Sequence, residues 1–373
     1  QVDGVALAIY NIEERHQGLI IGDQTGLGKG RQAASIIRYA IVNGYYPIFI
    51  TAKMNLFSDL YRDLKAVGAA HYRPLLLNAN SKMVDYAHRV KFTDSEDDLV
   101  LLSDYKTVYT ADKDFQREVR NDANPGLLAK MAVTDYDYIA LTYSQLNRGE
   151  LSTRSLMLEK LTEKKKVIFV LDESHEASGH SNQGRAMAKL LEKSQGCVFL
   201  SATFAKRAEN LFLYSSKTAL GNSGIEGRNL ESALERGGLP LQEMLSSQLV
   251  RYGQMIRREK DYSGLEVDYM VFDHSEERDV ELYDNVVETI REIQQFHLQK
   301  ARRAIRDFVD FLRTELKAQH VDKGLLVLLN KMAPCSEFSY VPGIMEALTL
   351  AIKVDNIAAE TVRLVKEGNK VVE

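Results

Sequence analysis

The sequence predicts an α/β fold built on a mostly parallel sheet, and three observations carry that reading. Short apolar runs recur along the first half of the chain without apolar/polar alternation, as strands covered on both faces require. Between the first two runs, Ala33, Ile36, Ile37, Ala40 and Ile41 fall at helical spacing, which gives a β-α-β order. Most runs end in hydroxyl or carboxylate residues, and open α/β sheets bind ligands at the carboxyl ends of their strands.

Taken in order, Gly18-Leu19-Ile20-Ile21 is a short buried strand, followed by a polar loop to Gly30 and a helix over Arg31 to Asn43. Pro47-Ile48-Phe49-Ile50-Thr51 is the second strand. The polar stretch Asp85 to Pro125, extending to about residue 130, reads as an insertion, with Ser95-Glu96-Asp97-Asp98 inside it. Three more strands follow: Tyr138 to Thr142, Val167 to Leu171, and Val198-Phe199-Leu200-Ser201. Lys217 to Gly238 is rich in glycine and reads as a mobile loop holding one short helix. Glu266 to Phe272 resembles a late strand of the same sheet.

From Ser275 the pattern changes to one long amphipathic helix reaching about Gln319. Leu282, Val286, Ile290 and Ile293 begin its apolar stripe, and its acidic first turns suit the helix dipole. The later cluster Lys300, Arg302, Arg303 and Arg306 reads as a solvated face, with contact to a phosphate backbone as the alternative. These patterns divide the chain into a lobe over 1–273, a helical extension over 274–353 and a further segment over 354–373.

The composition bounds the function. With 373 residues the chain can bury a large core, and 45% hydrophobic with 27% charged residues is ordinary for a globular protein. A net charge of -4 announces no globally basic surface, although nucleic acid needs only a local basic track. Two cysteines, Cys197 and Cys335, are too few for a disulfide framework and fit a reducing compartment. Cys197 lies in an apolar run and reads as a buried strand residue. Neither a membrane span nor a signal peptide is visible, so the expected location is cytoplasmic. The first residue is not Met and the last ones resemble a strand, so a piece of a larger protein is expected.

Two motifs carry the chemistry. Asp23-Gln24-Thr25-Gly26-Leu27-Gly28-Lys29-Gly30 connects a strand to a helix. Its glycines let backbone N–H groups approach phosphate oxygens, the helix adds its dipole, and Lys29 reaches the β- and γ-phosphates. Two positions depart from the usual G-x-x-x-x-G-K-[ST] pattern: Asp23 replaces the first glycine, and Gly30 replaces the hydroxyl residue that ligates magnesium. The metal then depends on phosphate oxygens, waters and Asp172, with Thr25 as a further donor. The second motif, Asp172-Glu173-Ser174-His175, ends a strand: Asp172 suits Mg²⁺, and Glu173 suits orienting or deprotonating the attacking water. His175 reads either as a relay between sites or as an ordinary loop histidine. Ser201-Ala202-Thr203 aims two further hydroxyls, those of Ser201 and Thr203, at the same edge.

In that order, the three motifs resemble helicase superfamily 2, and the opening Gln1-Val2-Asp3-Gly4 resembles its Swi/Snf-like branch. The form Gly22 to Gln32, with Gly30 and Arg31, is similar to the phosphate loop of the strawberry notch helicase-like family. Thr142-Tyr143-Ser144-Gln145-Leu146, Gly238-Leu239-Pro240 and Glu243-Met244-Leu245 also resemble family segments, while Ser174 stands where the family usually has Cys. The resemblance covers roughly residues 1–272. It implies a RecA-like P-loop NTPase lobe, with Gln1, Gln24, Thr25, Gly26, Leu27, Gly28, Lys29, Gly30 and Arg31 around ATP and Gln1 reading the adenine edge. It further implies Mg²⁺ as cofactor, coupling through His175, Ser201 and Thr203, and a nucleic-acid path along Thr51, Lys53, Thr142 and Ser144. Val354 to Glu373 resembles the opening helix and first strand of a second RecA-like lobe, whose remainder would hold the arginines that complete hydrolysis.

The implied function is the ATP-binding first lobe of a DNA helicase or translocase, phage or bacterial in origin and nucleoid-associated when on DNA. Two alternatives stand beside it. One is a scaffold module with a degenerate nucleotide site, which the missing loop hydroxyl favours and the intact Asp172-Glu173 pair opposes. The other is an RNA-directed helicase, since backbone contacts tell the two polymers apart poorly.

Overall fold

The computed structural model describes residues 1–261, apart from 88–103, 148, 178–180, 204–210 and 223–226, together with parts of 280–307 and residues 341–367. The chain divides into two compact units, Gln1–Ser263 and Gly264–Glu373.

The first unit is organised by seven parallel strands: β1 (Gly18–Ile21), β2 (Tyr46–Thr51), β3 (Pro74–Leu76), β6 (Tyr138–Thr142), β7 (Val167–Asp172), β8 (Gly196–Leu200) and β9 (Met255–Ile256). Their order across the sheet is β3-β6-β2-β7-β8-β1-β9, and every described pairing is parallel. Side chains alternate between two cores, so both faces are apolar and the strands read as unbroken hydrophobic runs. Val167, Phe169 and Leu171 of β7 enter one core, and Ile168 and Val170 enter the other. Helices α1 (Val2–Arg15), α2 (Lys29–Val42) and α3 (Leu56–Ala66) cover the second of these faces. Helices α5 (Pro125–Asp135), α6 (Thr153–Lys164) and α7 (Asn182–Glu192) cover the first. Cys197 is fully buried in β8, where burial pushes its thiol far above the ordinary range.

Register sets the ligand edge. Asp172 pairs with Leu200, and Leu200 with Ile21, while Thr51 pairs with Thr142 one step beyond Ile50 and Leu171. The last residues of five strands therefore stand level across the sheet. Every motif found in the sequence is delivered to that one rim.

Three expectations need correction or refinement. The stretch read as an insertion begins within an antiparallel hairpin, β4 (Lys82–Ala87) with β5 (Asp104–Thr110), and continues into α4 (Lys113–Arg120) and α5. Phe115, Val119, Leu128 and Ala129 carry it into the main core, so much of it is part of the fold. The glycine-rich loop over Lys217 to Gly238 is largely helical: a 3₁₀ turn at Ala219–Asn222 precedes α9 (Gly227–Arg251). There Gly238 serves the helix by taking φ 54°, ψ -148°, which kinks it two residues before Pro240. Sequence patterning also passed over β3 and β9, which are too short to show a period.

In the second unit, the described residues between 280 and 307 are helical, and α10 (Val341–Lys366) runs unbroken across the expected boundary at 353/354. The strands expected over Glu266 to Phe272 and Lys370 to Glu373, the basic cluster at Lys300 and Arg302, and Cys335 lie outside the described residues.

Candidate nucleotide site

The phosphate loop is shaped by its glycines and by an acid. Gly26 and Gly28 sit at φ 82° and 85°, a region that costs side-chain-bearing residues dearly. Gly28 is the N-cap of α2 and supplies no side-chain cap, which leaves the first N–H groups of the helix directed at whatever anion docks there. Lys29 Nζ donates to the Asp23 carbonyl across the loop at 2.8 Å.

Asp23 explains how a carboxylate can replace the first loop glycine. Its side chain is fully buried, and its oxygens accept from Arg258 Nε (3.0 Å), Arg258 Nη2, the Arg258 backbone N–H (3.1 Å) and Gln32 Nε2 (3.1 Å). Burial alone would raise its pKa, but the Arg258 and Gln32 hydrogen bonds outweigh it and hold the carboxyl below the usual range. Residues 256–260 then run beside the loop as a ladder, with Gly22 N donating to Ile256 O (2.7 Å), Gln24 N to Arg258 O (3.0 Å) and Lys260 N to Gln24 Oε1 (2.9 Å). Lys260 Nζ ends 2.5 Å from where a Cβ on Gly26 would lie. Neither Arg258 nor Lys260 was found from the sequence; Asp23 itself was the signal, since a buried carboxylate needs a cation.

The acidic pair lies at the end of β7. Asp172 Oδ2 accepts from the Thr51 hydroxyl at 3.0 Å, and Tyr143 donates to the Asp172 carbonyl at 3.0 Å. Burial and the charge of Glu173 push Asp172 up to about 6, against the opposing pull of Thr51 and Lys29. Glu173 takes a left-handed backbone, φ 48°, which starts a 3₁₀ turn over Ser174–Glu176. Ser174 is buried and bonds the Tyr214 hydroxyl at 2.9 Å.

His175 Nδ1 meets Ser201 Oγ at 2.9 Å and lies 3.4 Å from Glu173 Oε2, so the expected coupling residues do come together. Thr203 joins through its backbone N–H, which donates to Ser201 Oγ at 3.2 Å. Gln1 Nε2 donates to the Leu27 carbonyl at 3.2 Å, and its side chain occupies the space a Cβ on Gly28 would need. Beside it an apolar groove of about 400 Å³ opens between α1 and α2, lined by Gln1, Val2, Val5, Arg31, Gln32 and Ser35 among others. Thr25 is exposed at the loop tip.

The expected nucleic-acid path divides. Lys53 and Ser144 are exposed, but Thr51 is fully buried on Asp172. Thr142 is buried with its hydroxyl on Asn78 Nδ2 (2.7 Å) and Ser144 Oγ (2.8 Å). The hydroxyls of both threonines are bonded within the protein, where they position the rim.

Among the described residues no three His, Cys, Asp or Glu side chains gather into a self-sufficient metal cluster. That suits magnesium, which commonly takes one or two carboxylates and otherwise phosphate oxygens and water. A raised, desolvated Asp172 fits such a cation, whose charge would favour its ionised form.

The chain is 25% identical over 257 residues to human protein strawberry notch homolog 2 and 26% identical to the mouse protein; each match spans 66% of this chain and 16% of the relative. A Sulfolobus solfataricus SWI2/SNF2 ATPase core in complex with dsDNA is similar at a TM-score of 0.41 and 16% identity, covering 69% of this chain and 43% of that one. The Pyrococcus furiosus Hef helicase domain is similar at 0.36 and 13%, covering 99% and 64%. At those scores the fold rests on the strand order itself. The family described as P-loop containing NTP hydrolase pore-1 matches residues 7–285, and the chain belongs to it.

Proposed function

We propose that this chain is the ATP-binding first lobe of an ATP-dependent DNA helicase or translocase. The reading is supported by the register that brings the end of β1, where the phosphate loop begins, level with the end of β7, where Asp172-Glu173 sits, with the charge of Lys29 pulling against the raised Asp172 carboxyl. The base enters the groove between α1 and α2, where apolar Val2 and Val5 face it and Gln1 and Arg31 supply polar groups. The N-terminal N–H groups of α2 and Lys29 take the β- and γ-phosphates, drawing Nζ away from the Asp23 carbonyl. Asp172 holds magnesium, which when bound offsets phosphate charge. Glu173 accepts a proton from the attacking water and orients it. His175 and Ser201 report the state of Glu173 to the rim where Lys53 and Ser144 face solvent, and there the DNA backbone binds without reading sequence.

A second RecA-like lobe supplies the arginines that complete hydrolysis, so this chain alone binds ATP weakly and turns it over slowly. No helix among the described residues is long and apolar enough to cross a membrane; work on DNA puts the protein with the nucleoid. The test is ATPase activity of the longer protein with DNA or RNA added. Stimulation by DNA above RNA supports the reading; stimulation by RNA above DNA favours an RNA-directed enzyme. The missing hydroxyl at Gly30 favours a second reading, a scaffold with a degenerate site, which requires nucleotide binding indifferent to magnesium.

A further inference from the structure

The loop position after Lys29 ordinarily supplies a magnesium-binding hydroxyl, and here it is Gly30. The space beside Gly30 is filled: an ideal Cβ there would overlap Asp63 Oδ2 and approach Asp63 Cγ at 3.2 Å. A carboxylate oxygen from α3 thus lies roughly where a serine or threonine hydroxyl would be. We propose that Asp63 replaces the missing loop hydroxyl as an oxygen ligand of the nucleotide-bound magnesium, directly or through a water; this rests on the ATP-binding reading above.

Two features support it. Asp63 is only 8% exposed, yet among the described residues its carboxylate accepts one hydrogen bond, from the adjacent Arg62 at 3.3 Å, and Arg62 also pairs with Asp59 at 2.9 Å. Most of the acceptor capacity of the carboxylate is therefore open. The group also stands at the start of α2, beside the place where polyphosphate docks, and two like charges there repel unless a cation lies between them. Gly30 is then required for a steric reason, because any side chain would displace the ligand.

A simpler role is conceivable, in which Asp63 only complements the positive end of α2. The experiment separates the two. Mn²⁺ binding is measured by electron paramagnetic resonance on the full chain with saturating ADP, and metal-free ADP binding by calorimetry in EDTA. Asp63→Asn, which keeps shape, should weaken Mn²⁺ roughly 10- to 100-fold and leave metal-free ADP binding unchanged or tighter. The pair Gly30→Ser with Asp63→Ala should regain most of the Mn²⁺ affinity that Asp63→Ala loses, since it restores a loop hydroxyl in the vacated space. Unaltered Mn²⁺ affinity in Asp63→Asn, weakened metal-free binding, or no regain in the pair would each overturn the proposal. If wild-type chain bound ADP with no help from Mn²⁺, the ATP-site reading would fall together with this one.

Discussion

Replacing Arg258 by Ala should loosen the edge of the sheet at which the phosphate loop is anchored. The substitution removes two side-chain hydrogen bonds and, among the described residues, the one cation bonded to a carboxylate that is fully buried, leaving Asp23 with Gln32 and one backbone N–H. Breaking a buried pair from one side costs about 3–5 kcal/mol. The Arg258 side chain is 36% exposed, so its solvation and screening reduce that figure, and about 2–3 kcal/mol is the reasoned value. The pH dependence follows from the depressed Asp23 carboxyl. A lowered folded pKa stabilises above the unfolded value near 3.8, and that share is lost as pH falls through the folded value. In Arg258→Ala the buried carboxyl rises instead, so the deficit against wild type should shrink as pH is lowered from 7 toward 4. Hydrogen exchange of the Ile20 and Gly22 amides, which donate to Gln254 and Ile256, reads this locally in the full chain. Protection should fall about 30- to 150-fold at neutral pH, by the tenfold-per-1.4 kcal/mol conversion. Asp23→Asn with Arg258→Met should recover much of it, since the charge goes with its partner. A loss below threefold, or one indifferent to pH, would refute the reasoning.

Other outcomes follow from the same geometry. Because burial and Glu173 raise Asp172 to about 6, protons should compete with magnesium: metal-dependent nucleotide affinity, by calorimetry, should weaken about tenfold per unit below pH 6 and be level above pH 7. His175→Ala should leave basal ATPase of the longer protein within about threefold while lowering its stimulation by DNA at least tenfold, as expected of a relay contributing on the order of 1.4 kcal/mol. Gly28→Ala should cost about 1–2 kcal/mol in urea unfolding, since φ is 85° there and the Gln1 amide occupies the space.

The strands that carry chemistry were legible because each is an unbroken apolar run ending in polar residues at the rim. β1, β2, β6, β7 and β8 begin and end within a residue or two of their sequence-based limits. What escaped was non-local. Nothing in local spacing ties Asp23 to Arg258 or Gly30 to Asp63, although in each case an out-of-pattern loop residue marked the place. β9 is two residues long and takes its identity from pairing with Ile20 and Ile21. Glycine frequency misled over 217–238, because one kink in a helix uses the same residue as a turn. Thr51 and Thr142 show a further limit: strand-end position was readable, but burial, which decides whether a hydroxyl meets solvent or Asp172, was not.

The most direct measurement is calorimetric titration of the chain with ATP, with and without Mg²⁺, for wild type and Lys29→Ala. We expect one site per chain, tighter with magnesium and weakened at least tenfold by Lys29→Ala, since that ammonium is the loop's own contribution to phosphate charge. Binding that ignores both magnesium and Lys29, or no binding at all, would contradict an ATP site built from Lys29 and Asp172-Glu173.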